Sequence, residues 1–255
     1  MQFLKRLKGI PHYVGILVGQ ALIDPVEIFY VPGTASIYPI ISKAGCSSLK
    51  LILIRSFRPD FYAAFPEIHR IDPNELTGGR VRRLMFETRR EYYDFCRDKN
   101  LVMVIRDPRR RFLSAYRGYH AGINSYYTAH PAFGRLAGFA SPLSLPAFVR
   151  NCCRLPDRLA DRHFRSQYFY LPPPSVPQPA AVTFTTIALF GALNSHQASG
   201  DGKTPRLNVS LERVTDTDLL TLDNSRFRNR YREDFTLFAK VKPPQAERDG
   251  HRHRP

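Results

Sequence analysis

The chain has 255 residues, 43% of them hydrophobic, which is enough to bury the core of one sizeable α/β domain and excludes a chain that stays unfolded for want of apolar surface. Its formal charge of +16, with 30 arginines against 8 lysines, points to anionic partners, because the planar guanidinium is suited to phosphate, sulfate and carboxylate. No stretch approaches the roughly 20 apolar residues of a membrane span, and the cysteines at 46, 96, 152 and 153 have no metal-ligand spacing, so they read as reduced thiols with no metal to hold.

Residues 1–30 read as an N-terminal extension. The opening "MQFLKRLKGIPHYVGILVGQAL" has a basic start and a short apolar run, but Pro11, His12 and Tyr13 interrupt it and no small-residue cleavage site follows. Export is therefore not expected, and a soluble, cytoplasmic protein is. The apolar run 37–42 predicts a buried strand, and the helix after it is expected from Ser47 to about Phe57. Residues 79–99 follow a helical pattern, with Val81, Leu84, Met85, Tyr92, Phe95 and Cys96 on one side. "LVMVI" at 101–105 predicts a second buried strand, and Asp107-Pro108 has the form of a helix start, with Asp as N-cap and Pro at the first helical position.

Beyond these, the proline-rich 171–179 can be neither helix nor central strand. "AVTFTTIALF" at 181–190 predicts a third strand, 191–205 a loop, and 223–240 an amphipathic helix carrying Phe227, Tyr231, Phe235 and Phe238. Residues 31–242 then form the domain and 243–255 a disordered basic tail. Strands alternating with helices through short loops predict an α/β, three-layer fold with a central, mainly parallel sheet flanked by helices.

Two stretches carry chemistry. "KAGCSS", Lys43 to Ser48, lies between a strand and a helix, where backbone N–H groups and the positive end of the helix dipole make an anion site that small side chains leave open. The lysine precedes the glycine, so the nucleotide-triphosphatase pattern G-x-x-x-x-G-K-[ST] does not fit, and no Mg²⁺-holding acidic strand accompanies the loop. The second stretch, "VIRDPRRRFLSAYRGY", puts Arg106 at a strand end and Ser114 about two helical turns further on, so that the two could hold one anion.

Together these resemble the sulfotransferases that use 3′-phosphoadenosine 5′-phosphosulfate (PAPS), and most closely their carbohydrate branch, the family-2 type. In that family a "PK-x-G/A-C/S-T/S-S/N" loop binds the 5′-phosphosulfate and "RDP-x-x-R-x-x-SAY" binds the 3′-phosphate. "DRHFRSQ" at 161–167 is similar to the family's "HW-x-PQ" element, "YREDFTLF" at 231–238 to its terminal "Y-x-x-DF-x-LF", and "PRLNVS" at 205–210 to the stretch before its last helices. This sequence departs in having Ser42 before the lysine and Phe164 and Ser166 in place of Trp and Pro.

The resemblance implies a P-loop-like fold and transfer of a sulfuryl group from PAPS to a carbohydrate hydroxyl, on a glycan or polysaccharide that can itself be anionic, with 3′,5′-ADP as product and no metal. It places the 5′-phosphosulfate on Lys43, Ala44, Gly45, Cys46, Ser47 and Ser48, and the 3′-phosphate on Arg106 and Ser114. Lys43 is the expected catalytic cation, and His69 and His163 are the candidates for the base that the acceptor hydroxyl needs. No nucleic-acid partner is expected, and the basic character allows peripheral contact with a membrane. A protein that binds polyanions or nucleotides on the same scaffold without turnover is the alternative.

Overall fold

The computed structural model describes residues 14–63, 66–122, 126–139, 142–195 and 215–241. Five strands, β1 (Val26–Val31), β2 (Ser36–Pro39), β3 (Arg82–Phe86), β4 (Asn100–Val104) and β5 (Ala181–Thr185), form one sheet in the order β3-β1-β2-β4-β5. Neighbours β2, β4 and β5 are parallel, while β1 is antiparallel to both β2 and β3, so four of the five strands point one way. The main helices are α1 (Cys46–Arg55), α2 (Arg89–Cys96), α3 (Pro108–His120), α4 (Leu145–Cys152), α5 (Ile187–Ser195), α6 (Ser225–Arg230) and α7 (Arg232–Ala239).

Strand alternation explains why both faces of the sheet are covered. Ile28, Ile37, Leu101 and Met103 face one side, where they meet Tyr92, Tyr93 and Cys96 of α2 and Leu237 of α7. Phe29, Val31 and Val104 face the other, against Leu49, Ile52 and Leu53 of α1. A third cluster lies among the helices, with Phe112 of α3 edge-on to Phe148, Phe227 and Tyr231.

Several boundaries differ from expectation, each for a local reason. The sheet begins at Val26, inside the stretch read as an extension; the buried Glu27 breaks the apolar run that would have marked the strand. Of the 37–42 run only 37–39 is strand, since β2 ends at Pro39. The helical pattern over 79–99 resolves into β3, which pairs with β1 from Val26↔Phe86 to Tyr30↔Arg82, and α2. The break is set by a reciprocal capping box in which Thr88 accepts from the Glu91 N–H and Glu91 accepts from the Thr88 N–H. The 181–190 run is strand only to Thr185; the Thr186 hydroxyl accepts from the Leu189 N–H as α5 starts. The expected helix over 223–240 is interrupted at Tyr231 (φ −111°, ψ 21°) into α6 and α7. "PRLNVS" and the 243–255 tail lie outside the described residues.

Candidate functional site

Two neighbouring parallel strands, β2 and β4, deliver their C-terminal ends side by side, and the loops after them carry the two motifs. In an open α/β sheet this edge is where ligands bind. The first loop turns sharply. Lys43 sits at φ +64°, which is unusual for a side chain with a Cβ, and Gly45 at φ +100°. The glycine is required twice over, since a Cβ at Gly45 would also come 2.8 Å from the Cβ of Ile187 at the start of α5. Close packing against α5, rather than ligand access alone, explains this position.

Gly45 is also the N-cap of α1 and has no side chain to cap it, so the Cys46 and Ser47 N–H groups lie beyond the reach of intrahelical bonding, which starts at Leu49 N–H to Gly45 O (2.9 Å). The half-buried Arg106 guanidinium crosses from the second loop to donate to the Lys43 carbonyl at 3.0 Å, so the two motifs form one site. Burial lowers the Lys43 ammonium from its usual range, with Arg106 acting in the same direction and Cys46 and Asp161 against it. Burial and then the neighbouring Arg110 and Arg111 likewise lower Arg106. A partly desolvated cluster of cations of this kind is relieved by an anion.

Asp107 caps α3 by accepting from the Arg110 N–H at 2.9 Å, with Pro108 at the first helical position as expected. Arg111 is the residue whose role sequence reading missed. It is 2% exposed, and its guanidinium donates to the carbonyls of Ser42 (2.9 Å), Arg165 (2.8 Å) and Arg162 (3.1 Å), pinning the Lys43 loop to segment 161–167. Arg111→Leu should lower stability by about 3–5 kcal/mol in urea unfolding, because it strands buried acceptors. Arg111→Lys should recover little, since one ammonium cannot reproduce the fork. Ser114 is half-buried on α3 beside Ala115.

Segment 161–167 adds another candidate side chain. Lys43 and His163 line one cleft, walled by Ala115, Gly118 and Tyr119 of α3 and by Phe164. The His163 ring meets the fully buried Asp161 carboxylate through Nδ1 at 2.6 Å, and the same carboxylate accepts from the His163 N–H at 2.8 Å. Next to it, Arg162 bridges Asp24 and Glu27, and Glu27 also pairs with Lys50 of α1 (2.6 Å) and Arg83 of β3 (2.9 Å). Burial alone would raise the Glu27 carboxyl, but Lys50, Arg83 and Arg162 outweigh it and hold it low. This network fixes the backbone on which His163 sits.

His69 lies elsewhere in the site. Its Nε2 shares a 2.9 Å hydrogen bond with the Ser47 hydroxyl in the first turn of α1. Burial, with Lys50 second, lowers it from 6.5 to about 4, so it is neutral at pH 7. In the unfolded chain it regains the higher value and takes up a proton first as pH falls. His69 therefore stabilises the fold above about pH 6.5, and that contribution is lost as pH falls towards 4. The urea midpoint should drop between pH 7 and 4.5, and His69→Gln should flatten the drop.

The two downstream motifs meet in space. The Tyr231 hydroxyl donates to the Phe164 carbonyl (2.7 Å), and buried Asp234 accepts from the N–H groups of Gln167 (2.9 Å) and Tyr168 (2.8 Å). Among the described residues no group of three or more His, Cys, Asp or Glu is placed to hold a metal ion, and no helix is long and apolar enough to cross a membrane. The four cysteines are all unpaired.

The model of the sulfotransferase family matches residues 27–191, from the second residue of β1 into α5. Comparisons with curated proteins and with solved structures give no match. The matched span is well over half of the chain and contains Lys43, Arg106, Arg111 and the Asp161–His163 pair, and by that measure the chain belongs to the sulfotransferase family, whose shared chemistry is sulfuryl transfer.

Proposed function

We propose that the protein transfers a sulfuryl group from PAPS to a hydroxyl of a carbohydrate acceptor. The observation that carries this reading is the bond from the Arg106 guanidinium to the Lys43 carbonyl, which puts the two anion-binding loops at one strand edge. The residues suit a doubly phosphorylated nucleotide. The uncapped start of α1 with Lys43 receives the 5′ end, and Arg106 with Ser114 receives the 3′-phosphate. The arginine-rich, +16 chain favours an acceptor bearing anionic groups.

The donor supplies the sulfuryl group and a phosphate leaving group. The protein's part is mainly positioning and neutralisation of charge, as in phosphoryl transfer. Lys43 places a cation where negative charge develops on the leaving oxygen. With Nδ1–H donated to Asp161, the other nitrogen of His163 is the basic one, and His163 takes the proton of the acceptor hydroxyl. His69, depressed to about 4, is poorly matched to that task near neutral pH and instead orients the Ser47 hydroxyl.

Calorimetry with 3′,5′-ADP in the absence of Mg²⁺ tests the reading. Saturable binding that Arg106→Ala weakens by about 10- to 100-fold is expected, the range of a charged hydrogen bond of about 1.5–3 kcal/mol. Salt-sensitive binding that does not distinguish 3′,5′-ADP from other polyanions would support instead a protein that binds without turnover.

A further inference from the structure

The Arg106 guanidinium serves the site only if the strand end that carries it is held in place, and the structure shows what holds it. Arg106 follows Ile105, where the ladder between β4 and β5 gives out after Ile105 N–H to Thr185 O (2.8 Å). Its own backbone is taken up by a side chain. The Gln167 amide oxygen accepts from the Arg106 N–H at 2.9 Å, and the Gln167 amide nitrogen donates to the Arg106 carbonyl at 2.9 Å. One carboxamide thus mimics a further rung of the sheet, from a residue 61 positions away in sequence.

Gln167 is itself immobilised. It is 0% exposed, and its N–H is held by Asp234 of α7, which also takes the N–H of Tyr168. A continuous path therefore runs from Asp234 to Gln167, to the Arg106 backbone, and through its guanidinium to the Lys43 carbonyl. No link in this path reaches a reacting atom, which makes Gln167 a positioning residue and not a catalytic one.

We propose that Gln167 sets the selectivity of the site for a 3′-phosphorylated nucleotide, by clasping both backbone groups of Arg106 and so aiming its guanidinium. This rests on the reading of Arg106 as the 3′-phosphate ligand given above. A side chain that merely stabilised the fold would not alter the ratio of affinities for two nucleotides that differ only in that phosphate.

The test is the ratio of dissociation constants for 5′-AMP and 3′,5′-ADP, measured by calorimetry well below the unfolding temperature of each variant. Gln167→Leu removes both bonds and is expected to lower the ratio by about tenfold or more, with 5′-AMP affinity changed by less than about threefold. Gln167→Glu keeps the size and the acceptor but sets a carboxylate oxygen against the Arg106 carbonyl, so it should also lower the ratio. This second variant decides the matter if the leucine form does not fold. An unchanged ratio in the folded variants would overturn the role of Gln167. Equal affinity of the unaltered protein for both nucleotides would overturn the assignment of Arg106 itself, and the two failures are distinguishable.

Discussion

Lys43→Ala should reduce turnover by about 10²–10³-fold or more while leaving the protein folded, the range seen when one preorganised donor to developing negative charge is removed. The structure explains why so little else should change. The Lys43 atom that organises the site is its carbonyl, which accepts from Arg106 and survives the substitution. The ammonium takes no part in that contact. Lys43 is also held at φ +64°, a conformation the rest of the loop imposes and which alanine must adopt at similar cost. Burial has lowered the ammonium's proton affinity, and Arg106 lowers it further, so the site holds a cation with little solvent to screen it, poised against an anion. Lys43→Arg retains the charge on a larger, planar group and should recover only part of the rate. Circular dichroism and the urea midpoint report the fold, and transfer of label from PAPS to an acceptor glycan reports the rate. Wild-type turnover in a folded Lys43→Ala protein would remove Lys43 from the chemistry.

How much of this was legible in the sequence depended on whether the signals were local. The helix start at Asp107-Pro108 was readable because N-cap and first-turn preferences act within a few residues, and Asp107 does cap α3. The strand, small-residue loop and helix around Lys43 were readable for the same reason, because the small residues separate two apolar runs, and α1 is buried at eight successive positions from Ser47 to Ile54. What escaped was non-local. β1 was hidden because Glu27 interrupts its apolar run, and only in the folded chain do Lys50, Arg83 and Arg162 converge on that carboxylate. Val81, Leu84 and Met85 follow a helix-like spacing, and pairing of β3 with β1 overrides the pattern. The Thr88–Glu91 capping box was a sequence signal that could have separated β3 from α2. Arg111 stands at the second arginine of the RDP-x-x-R-x-x-SAY motif, and the motif alone does not say what that arginine holds. Its three carbonyl partners lie 51 to 69 residues away, a distance no periodicity can report.

The choice between the two histidines rests on their surroundings and yields the second large effect. His163→Ala should lower turnover by about 10²–10⁴-fold, the usual worth of a positioned general base, with 3′,5′-ADP affinity little changed because His163 is assigned to the acceptor side. Small exogenous imidazole should restore part of the rate to this variant. Asp161→Asn should cost about 10²-fold or more, since the fully buried carboxylate that fixes the ring through Nδ1 and offsets charge on the protonated imidazole would be replaced by a neutral amide. The same carboxylate also accepts from the His163 backbone N–H, so the loss in Asp161→Asn combines orientation with charge. His69→Ala has a different expectation. Its ring is neutral at pH 7 and touches the Ser47 hydroxyl, so the variant should keep its rate to within about tenfold and show its effect mainly in donor binding. The outcome is read from kcat of the three variants side by side, with 3′,5′-ADP affinity as the control. Should His69→Ala prove the crippled form and His163→Ala retain its rate, the base would have to be reassigned to the ring at the start of α1, and its low proton affinity would have to rise when donor and acceptor are bound.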